Sequence, residues 1–463
     1  MRVLQTVQPS AEQLPIVLED RPGVAVLRGA AGSGKTTTAL LRLKQLCRVR
    51  LARRQRLQGT QPVRVLVLTY NRSLAGYIEA LARLQVPAAM DLDLTVSTFA
   101  GWAQNLVGNV HVMADATRRN LLGSLGAGLP LRTEFLDGEV SYALGRFGTA
   151  NVQDYLLRDR DGRGISPRVD KTRLLKEVVI PYINQKRTNG LWDWHDLAEG
   201  AGEAGCLPYD VMIVDEAQDF TANQVRAVLA HQAPDASVTF VLDTVQRIYP
   251  NFFTWREVVL DASKFILNAR LIENRRNTRQ IAAFARPFVA GMTVDDNGEL
   301  PDLNSALTAG PLPQVFEGSF SQQGLAIIRH LQAIDLSTDS VGILHPLGGG
   351  WFDALRGYLA AAGIAYVELA QKRAWPVGPV NVGLSTLHSA KGLEFDHLVV
   401  CGVTGETASA PDDEDDTGMQ NLRRLLAMAF GRAKRTVLLC HDPSNPATVL
   451  RYLEDATYSQ VKL

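Results

Sequence analysis

The sequence predicts an α/β chain built as two units, each on a parallel β-sheet, with a mostly helical insertion in the first. Three observations lead there. A short apolar run, Val24 to Leu27, enters a glycine-rich turn and then a Gly-free stretch from Lys35 to Arg56 that reads as a helix. Further apolar runs at Val63 to Thr69, Leu94 to Ser97, Val211 to Val214 and Val238 to Leu242 are separated by helix-like stretches, the pattern of a doubly wound sheet. A second series repeats it, with runs at Val341 to Leu344, Val380 to Leu384, Leu398 to Cys401 and Val437 to Cys440 and helical stretches at Gly324 to Ile334 and Phe352 to Ala362. Runs rich in valine and leucine suit strands buried on both faces.

Length and composition set the bounds. At 463 residues the chain exceeds one ordinary domain. The expected division is 1–103 and 192–266 for the first lobe, 104–191 for the helical insertion and 267–463 for the second lobe. Hydrophobic residues make up 46% and charged residues 21%, and no apolar run approaches the roughly 20 residues of a membrane helix. Residues Met1 to Gln13 carry no signal-peptide core, so a cytoplasmic location and no membrane partner are expected. Cys47, Cys206, Cys401 and Cys440 lie far apart, in no metal-ligand spacing, and read as free thiols. Formal net charge is zero, so any contact with a phosphate backbone must come from local patches. Arg42, Lys44, Arg48, Arg50, Arg53, Arg54 and Arg56 crowd one helix end, where cations are favourable, and read as a solvated surface.

The turn after the first strand carries the sharpest chemistry. Gly29, Gly34, Lys35 and Thr36 fill a G-x-x-x-x-G-K-[ST] spacing, with Ala30, Ala31, Gly32 and Ser33 between and Thr37 after. Glycines there permit positive φ and let backbone N–H groups close around nucleotide phosphates. Lys35 is placed to reach the β- and γ-phosphates, and the Thr36 hydroxyl to ligate Mg²⁺. The following helix points its positive end at the same anion.

A second motif, Val214-Asp-Glu-Ala-Gln-Asp219, ends the apolar run Val211 to Val214. Carboxylates at the C-terminal edge of a parallel sheet lie where ligands collect. Asp215 would hold Mg²⁺ with Thr36, and Glu216 would orient or deprotonate an attacking water.

With both motifs in order, the chain resembles the superfamily 1A DNA helicases typified by UvrD, Rep and PcrA, and it does so nearly end to end. Gln13 fits that family's adenine-reading glutamine, Leu68-Thr-Tyr-Asn-Arg72 and Ser97-Thr-Phe99 its next motifs, and Trp192-Asp-Trp-His-Asp-Leu197 its aromatic-acidic segment. Leu242-Asp-Thr-Val-Gln-Arg-Ile-Tyr249 supplies Gln246 as γ-phosphate sensor. Asn274-Arg-Arg276 and Gly431-Arg-Ala-Lys434 supply Arg276 and Arg432 as arginine fingers. Thr386-Leu-His-Ser-Ala-Lys-Gly-Leu-Glu-Phe395 matches nearly letter for letter and adds Glu394 to the nucleotide set. The resemblance implies two RecA-like P-loop NTPase lobes, ATP and Mg²⁺ as cofactors, and single-stranded or tailed duplex DNA as partner. It also implies 3′-to-5′ movement. Strand contacts carried over are Tyr70, Asn71, Thr98, Phe99, Tyr249, Trp255, Thr386 and His388. Aromatic faces among them could stack bases for about 1–3 kcal/mol each.

The chain also departs from the family pattern. Arg275 stands where a tyrosine stacks on adenine, Ala100 ends the Thr-Phe-His motif, and Ala427 and Gly431 replace a tyrosine and a threonine. The tryptophan expected after Tyr249 is absent at its spacing, leaving Phe252, Phe253 and Trp255 as substitutes. Only about 110 residues separate Arg276 from Ser385, barely enough for one lobe, so the family's large second-lobe insertion is not expected. The functional reading is an ATP-dependent single-stranded DNA translocase or helicase. One alternative is an ATP-gated DNA-binding subunit of a larger complex, for example with a partner nuclease. Another is an RNA-directed motor.

Overall fold

The computed structural model describes residues 8–29, 32–69, 75–76, 78–80, 91–108, 110–157, 170–206, 208–243, 253, 255–258, 264–272, 276–291, 306, 308–369, 376, 378–409 and 417–462. Two sheets organise them. The first runs in space as β3 (Leu92–Thr98), β2 (Val63–Thr69), β4 (Tyr209–Val214), β5 (Gln232–Asp243), β1 (Gly23–Gly29) and β6 (Phe265–Leu271). The second runs as β13 (Ser459–Val461), β7 (Gln314–Glu317), β12 (Ala433–His441), β11 (Phe395–Val403), β8 (Val341–His345), β10 (Val382–Thr386) and β9 (Val367–Glu368). Every ladder among the described residues is parallel. With helices between the strands, this is the α/β architecture of two RecA-like lobes.

Each apolar run singled out in the sequence lies on or overlaps one of these strands. The strands that sequence pattern did not announce are β6, β7, β9 and β13. β7, β9 and β13 are short, and β6, β9 and β13 lie at sheet edges. An edge strand is covered on fewer sides, so its apolar signature is weak. Strand β6 pairs with β1 from Phe265 to Leu271, so the boundary expected at 266/267 falls inside a strand of the first sheet.

Between β3 and β4 the chain is helical, over Phe99–Val107, Asp115–Leu125, Thr133–Phe147 and a continuous run from Lys171 to Thr188. Leu122, Val140, Leu144, Tyr155, Val178 and Tyr182 give this region a core of its own. The run widens into a π turn over Leu175–Val179, just ahead of Pro181. Proline offers no N–H to the preceding turn, and the wider turn relieves the crowding its ring would cause. The segment 192–197 is built in firmly: Asp193 caps the helix Trp194–Glu203 and accepts from Lys186 Nζ at 2.8 Å and Tyr182 OH at 2.7 Å, all three buried.

The arginine-rich helix corrects the solvated-surface expectation in part: Arg48, Arg53 and Arg56 are exposed, but Arg42 and Arg50 are buried. The helix Lys35–Arg56 packs on β1, β2, β4 and β5. Its inward face carries Arg42, fully buried and donating to Thr239 Oγ1 at 3.0 Å and Ile16 O at 2.8 Å. Arg50, also buried, pairs with Asp235 at 2.9 Å, and Arg54 reaches Asp210 at 3.2 Å. Helical periodicity sends every third or fourth residue inward whatever its charge, and these arginines are held there by carbonyls and carboxylates. All four cysteines are free, with Cys47, Cys401 and Cys440 buried. No helix among the described residues is long and apolar enough to cross a membrane.

Candidate nucleotide site and strand-binding face

The glycine-rich turn leaves β1 and enters the helix Lys35–Arg56 through two left-handed glycines, Gly32 at φ +84° and Gly34 at φ +77°. Only glycine takes these angles without strain. A Cβ at Gly29 would lie 2.8 Å from Leu271 O, and one at Gly34 would lie 2.7 Å from Gln13 Nε2. Buried Gln13 therefore sits directly against the turn, steadied by Ser10 N donating to its Oε1 at 3.0 Å. Ser33 is buried, while Lys35, Thr36 and Thr37 are half-buried on the first turn of the helix. Ala30 and Ala31 lie outside the described residues.

The acidic motif sits at the C-terminal end of β4, and Thr36 Oγ1 donates to Asp215 Oδ2 at 2.9 Å. Burial and the neighbouring Glu216 carboxylate push Asp215 up to about 6, while Thr36, the Glu216 N–H and Lys35 pull it down. A hydroxyl and a carboxylate, both hard oxygens, make the donor set that Mg²⁺ accepts when water and phosphate complete its shell. A divalent cation there would restore the charge that burial suppresses. Among the described residues no group of three or more His, Cys, Asp or Glu is placed to hold a metal. Glu216 adopts φ +53°, a left-handed angle that costs a residue with a Cβ. Its Oε2 accepts from Gln218 Nε2.

The second lobe reaches into this motif through Lys391. Its ammonium pairs with Asp219 Oδ2 and lies 3.7 Å from Glu216 Oε2. Burial opposes the charge, but the Asp219 and Glu216 carboxylates raise its pKa above the ordinary lysine value. Arg432, also buried, contacts Met428 Sδ at 3.4 Å and is close enough to influence both Lys391 and Glu394. Arg276 pairs with Glu394 and donates to Gly431 O at 3.3 Å. Lys434 lies 3.5 Å from the other Glu394 oxygen. Burial would raise the Glu394 pKa, yet Arg276, Lys434 and Arg432 hold it down to about 2. Lys391, Arg432, Glu394 and Arg276 thus form one charged cluster, joined through Lys391 to the first lobe's carboxylates.

The chain is 22% identical over 446 residues to a protein of Mycoplasma pneumoniae named "Probable DNA helicase", covering 90% of this chain and 80% of that one. The likeness is to a probable DNA helicase. No family model matches the chain. The solved C-terminal domain of a possible DNA helicase from Lactobacillus plantarum is 22% identical, covers 41% of this chain and 99% of its own length, and superposes with a TM-score of 0.31. A superposition that shallow decides nothing about the site.

The expected strand contacts divide sharply. Thr386 ends β10, where its Oγ1 accepts from Ser389 N at 3.1 Å, and His388 on the same turn is exposed. Thr98 ends β3 and caps the helix Phe99–Val107 by accepting from Gly101 N at 3.1 Å. Phe99 requires correction: it is 4% exposed, packed at 5.7 Å against both Trp102 and Phe220, and has no open face for a base. Its position just past a strand end brings it under the sheet. Trp255 rests on Phe240 at 4.9 Å and Phe253 at 5.6 Å, so core contacts take much of its ring. Tyr70, Asn71, Gln246, Tyr249 and Arg275 lie outside the described residues.

Lys391 and Asp219 escaped the sequence reading as site residues. For Lys391 the signal was present, since it is the one cation within the best-matched segment, Thr386 to Phe395.

Proposed function

We propose that the chain is an ATP-dependent motor on single-stranded DNA, hydrolysing ATP between its two lobes and moving 3′ to 5′. The observation that carries this reading is Lys391, which brings the Thr386 to Phe395 turn of one lobe onto the acidic motif beside the phosphate turn of the other. The 22% likeness to a probable DNA helicase along 90% of the chain supports the same class.

In this mechanism Gly32, Gly34 and the N–H groups around them cradle the phosphates, and Lys35 neutralises the β- and γ-oxygens. Gln13 reads the base edge, and Arg275 would lie flat against it through its guanidinium plane. Thr36 and Asp215 would hold Mg²⁺, which when bound would polarise the phosphoryl oxygens. Glu216 orients the attacking water and takes its proton. Arg276 and Arg432 approach the developing charge when the lobes close, with Glu394 fixing Arg276 until they do. Closure and release, once per ATP, advance the strand across Thr386, His388 and Thr98. A service role within a larger complex is not favoured, because nothing beyond the compact second lobe argues for it.

The test is ATP turnover with and without single-stranded DNA, alongside displacement of a strand from a 3′-tailed duplex. Turnover stimulated by DNA and abolished in Lys35→Ala is expected. Turnover indifferent to DNA, or retained at full rate in Lys35→Ala, would refute the reading. An RNA strand that outcompetes DNA in the same assay would move the motor to RNA.

A further inference from the structure

The helical region between β3 and β4 reaches back into the first lobe through a buried side chain. Arg146, near the end of the helix Thr133–Phe147, is 3% exposed. Its Nε donates to Glu257 Oε2 at 3.1 Å and its Nη2 to Glu257 Oε1 at 2.8 Å. Its Nη1 donates to Tyr142 OH at 2.5 Å, and the guanidinium lies over the Phe147 ring at 5.4 Å. The fork thus engages both carboxylate oxygens at once, which fixes direction as well as distance. The backbone around Arg146 is tied down in turn: Arg226 Nη1 donates to Arg146 O at 2.6 Å and Asn223 Nδ2 to Leu144 O at 2.7 Å.

Glu257 belongs to the short helix Trp255–Val258, on the crossover between β5 and β6. Strand β5 ends at Asp243, in register with Gly29 at the mouth of the phosphate turn. The crossover therefore leaves the sheet beside the candidate nucleotide site. Gln246, the expected γ-phosphate sensor, follows Asp243 in this stretch of the sequence and precedes Trp255. One end of the stretch is held by the β1–β5 ladder. The other is held by buried Val258, by Trp255 resting on Phe240, and by the pair with Arg146, which the helical insertion supplies.

We infer that Arg146 is a positioning residue for ATP hydrolysis: it braces the far end of the crossover whose sequence carries Gln246. The helical insertion thereby takes part in the chemistry from outside the cleft. This rests on the motor reading above, and it goes further in giving the insertion a role in hydrolysis and naming the side chain that performs it. A displacement of about 1 Å that originates far from the reacting atoms can cost about 10²-fold in rate. Because the brace depends on the planar fork, a lysine, which is a point charge on a flexible stem, does not reproduce it.

The experiment measures kcat for ATP with saturating oligo(dT), and equilibrium affinity for a fluorescent ATP analogue, well below the melting temperature of each protein. It compares the unsubstituted full chain with Arg146→Lys, Glu257→Gln and the double variant. Each single variant is expected to lower kcat by roughly 10–10²-fold with nucleotide affinity unchanged. The double variant should be no slower than the slower single one, because the two side chains act as a unit. A native kcat in both single variants, with only the melting temperature lowered, makes the pair structural and overturns the inference. Losses that multiply in the double variant overturn it too, and so does a loss confined to nucleotide affinity. Where Arg146→Lys does not fold, Glu257→Gln alone decides: a lowered kcat supports the brace and a native one refutes it. Failure of the unsubstituted protein to hydrolyse ATP is a separate result, which removes the motor reading itself.

Discussion

The Thr36 hydroxyl donates to the Asp215 carboxylate at 2.9 Å, although 179 residues separate them in the chain. The bond joins the first turn of a helix to the end of a strand two positions away in the sheet. Because these two oxygens are the hard donors beside the phosphate turn, Thr36→Val and Asp215→Asn should each lower turnover by roughly 10²–10³, the scale for losing one preorganised electrostatic contact. Titration of Mg²⁺ checks it: the midpoint should move to higher metal in both variants, and chelation should silence the unsubstituted protein. An unmoved midpoint would place the metal elsewhere.

Gly34→Ala should fold and yet fail to bind nucleotide. The left-handed φ of +77° costs an alanine about 1–2 kcal/mol. The added Cβ would also sit 2.7 Å from Gln13 Nε2, forcing the glutamine off the turn. Equilibrium binding of a fluorescent ATP analogue reads the effect, with circular dichroism as the control for fold. Native affinity in Gly34→Ala would contradict the cradle geometry.

Arg276→Ala and Arg432→Ala should spare ATP affinity and lower turnover by roughly 10³–10⁵, the range for arginine fingers in phosphoryl transfer. Single-turnover hydrolysis separates the two quantities. A loss confined to binding would show that these guanidiniums serve the ground state only.

Glu394 predicts an acid limb in stability. Its carboxyl is held at about 2 in the folded protein against an ordinary 4.5, chiefly by Arg276 and Lys434 working against burial. A depressed folded-state pKa means stabilisation that is complete above about pH 4.5 and lost as pH falls toward 2. Chemical denaturation between pH 6 and pH 3 (roughly the window in which this carboxyl matters) should show the slope. Glu394→Gln should flatten it while lowering stability at neutral pH, because it strips charge from a cluster of cations. An identical slope in the variant would assign the acid limb to other carboxylates.

Phe99→Ala should behave as a core truncation, destabilising by about 3–5 kcal/mol. Strand affinity, measured well below the melting temperature, should change little. Weakened DNA binding at unchanged stability would return Phe99 to the strand-binding face.

Much of this molecule could be read from short windows of sequence. The helix from Lys35 to Arg56 has the bounds expected from its lack of glycine, and β2 the bounds of its apolar run. The phosphate turn was legible for the same reason: glycine spacing encodes backbone angles locally, and Gly32 and Gly34 adopt them. The edge strand β6 was not legible, because it mixes apolar and polar residues and acquires its place only by pairing with β1, whereas β3 at the other edge was read from its apolar run.

By itself, then, the sequence determined the two sheets, the glycine turn and the acidic strand end, all consequences of local periodicity and backbone freedom. Tertiary structure alone decided which side chains of those elements face inward and what they meet. Arg42 and Arg50 read as surface cations until the sheet packed over them, and Phe99 read as a stacking face until Trp102 and Phe220 closed on it. The Lys391–Asp219 pair joins positions 172 residues apart. Such a contact depends on how two lobes dock, and no window of neighbouring residues contains that information.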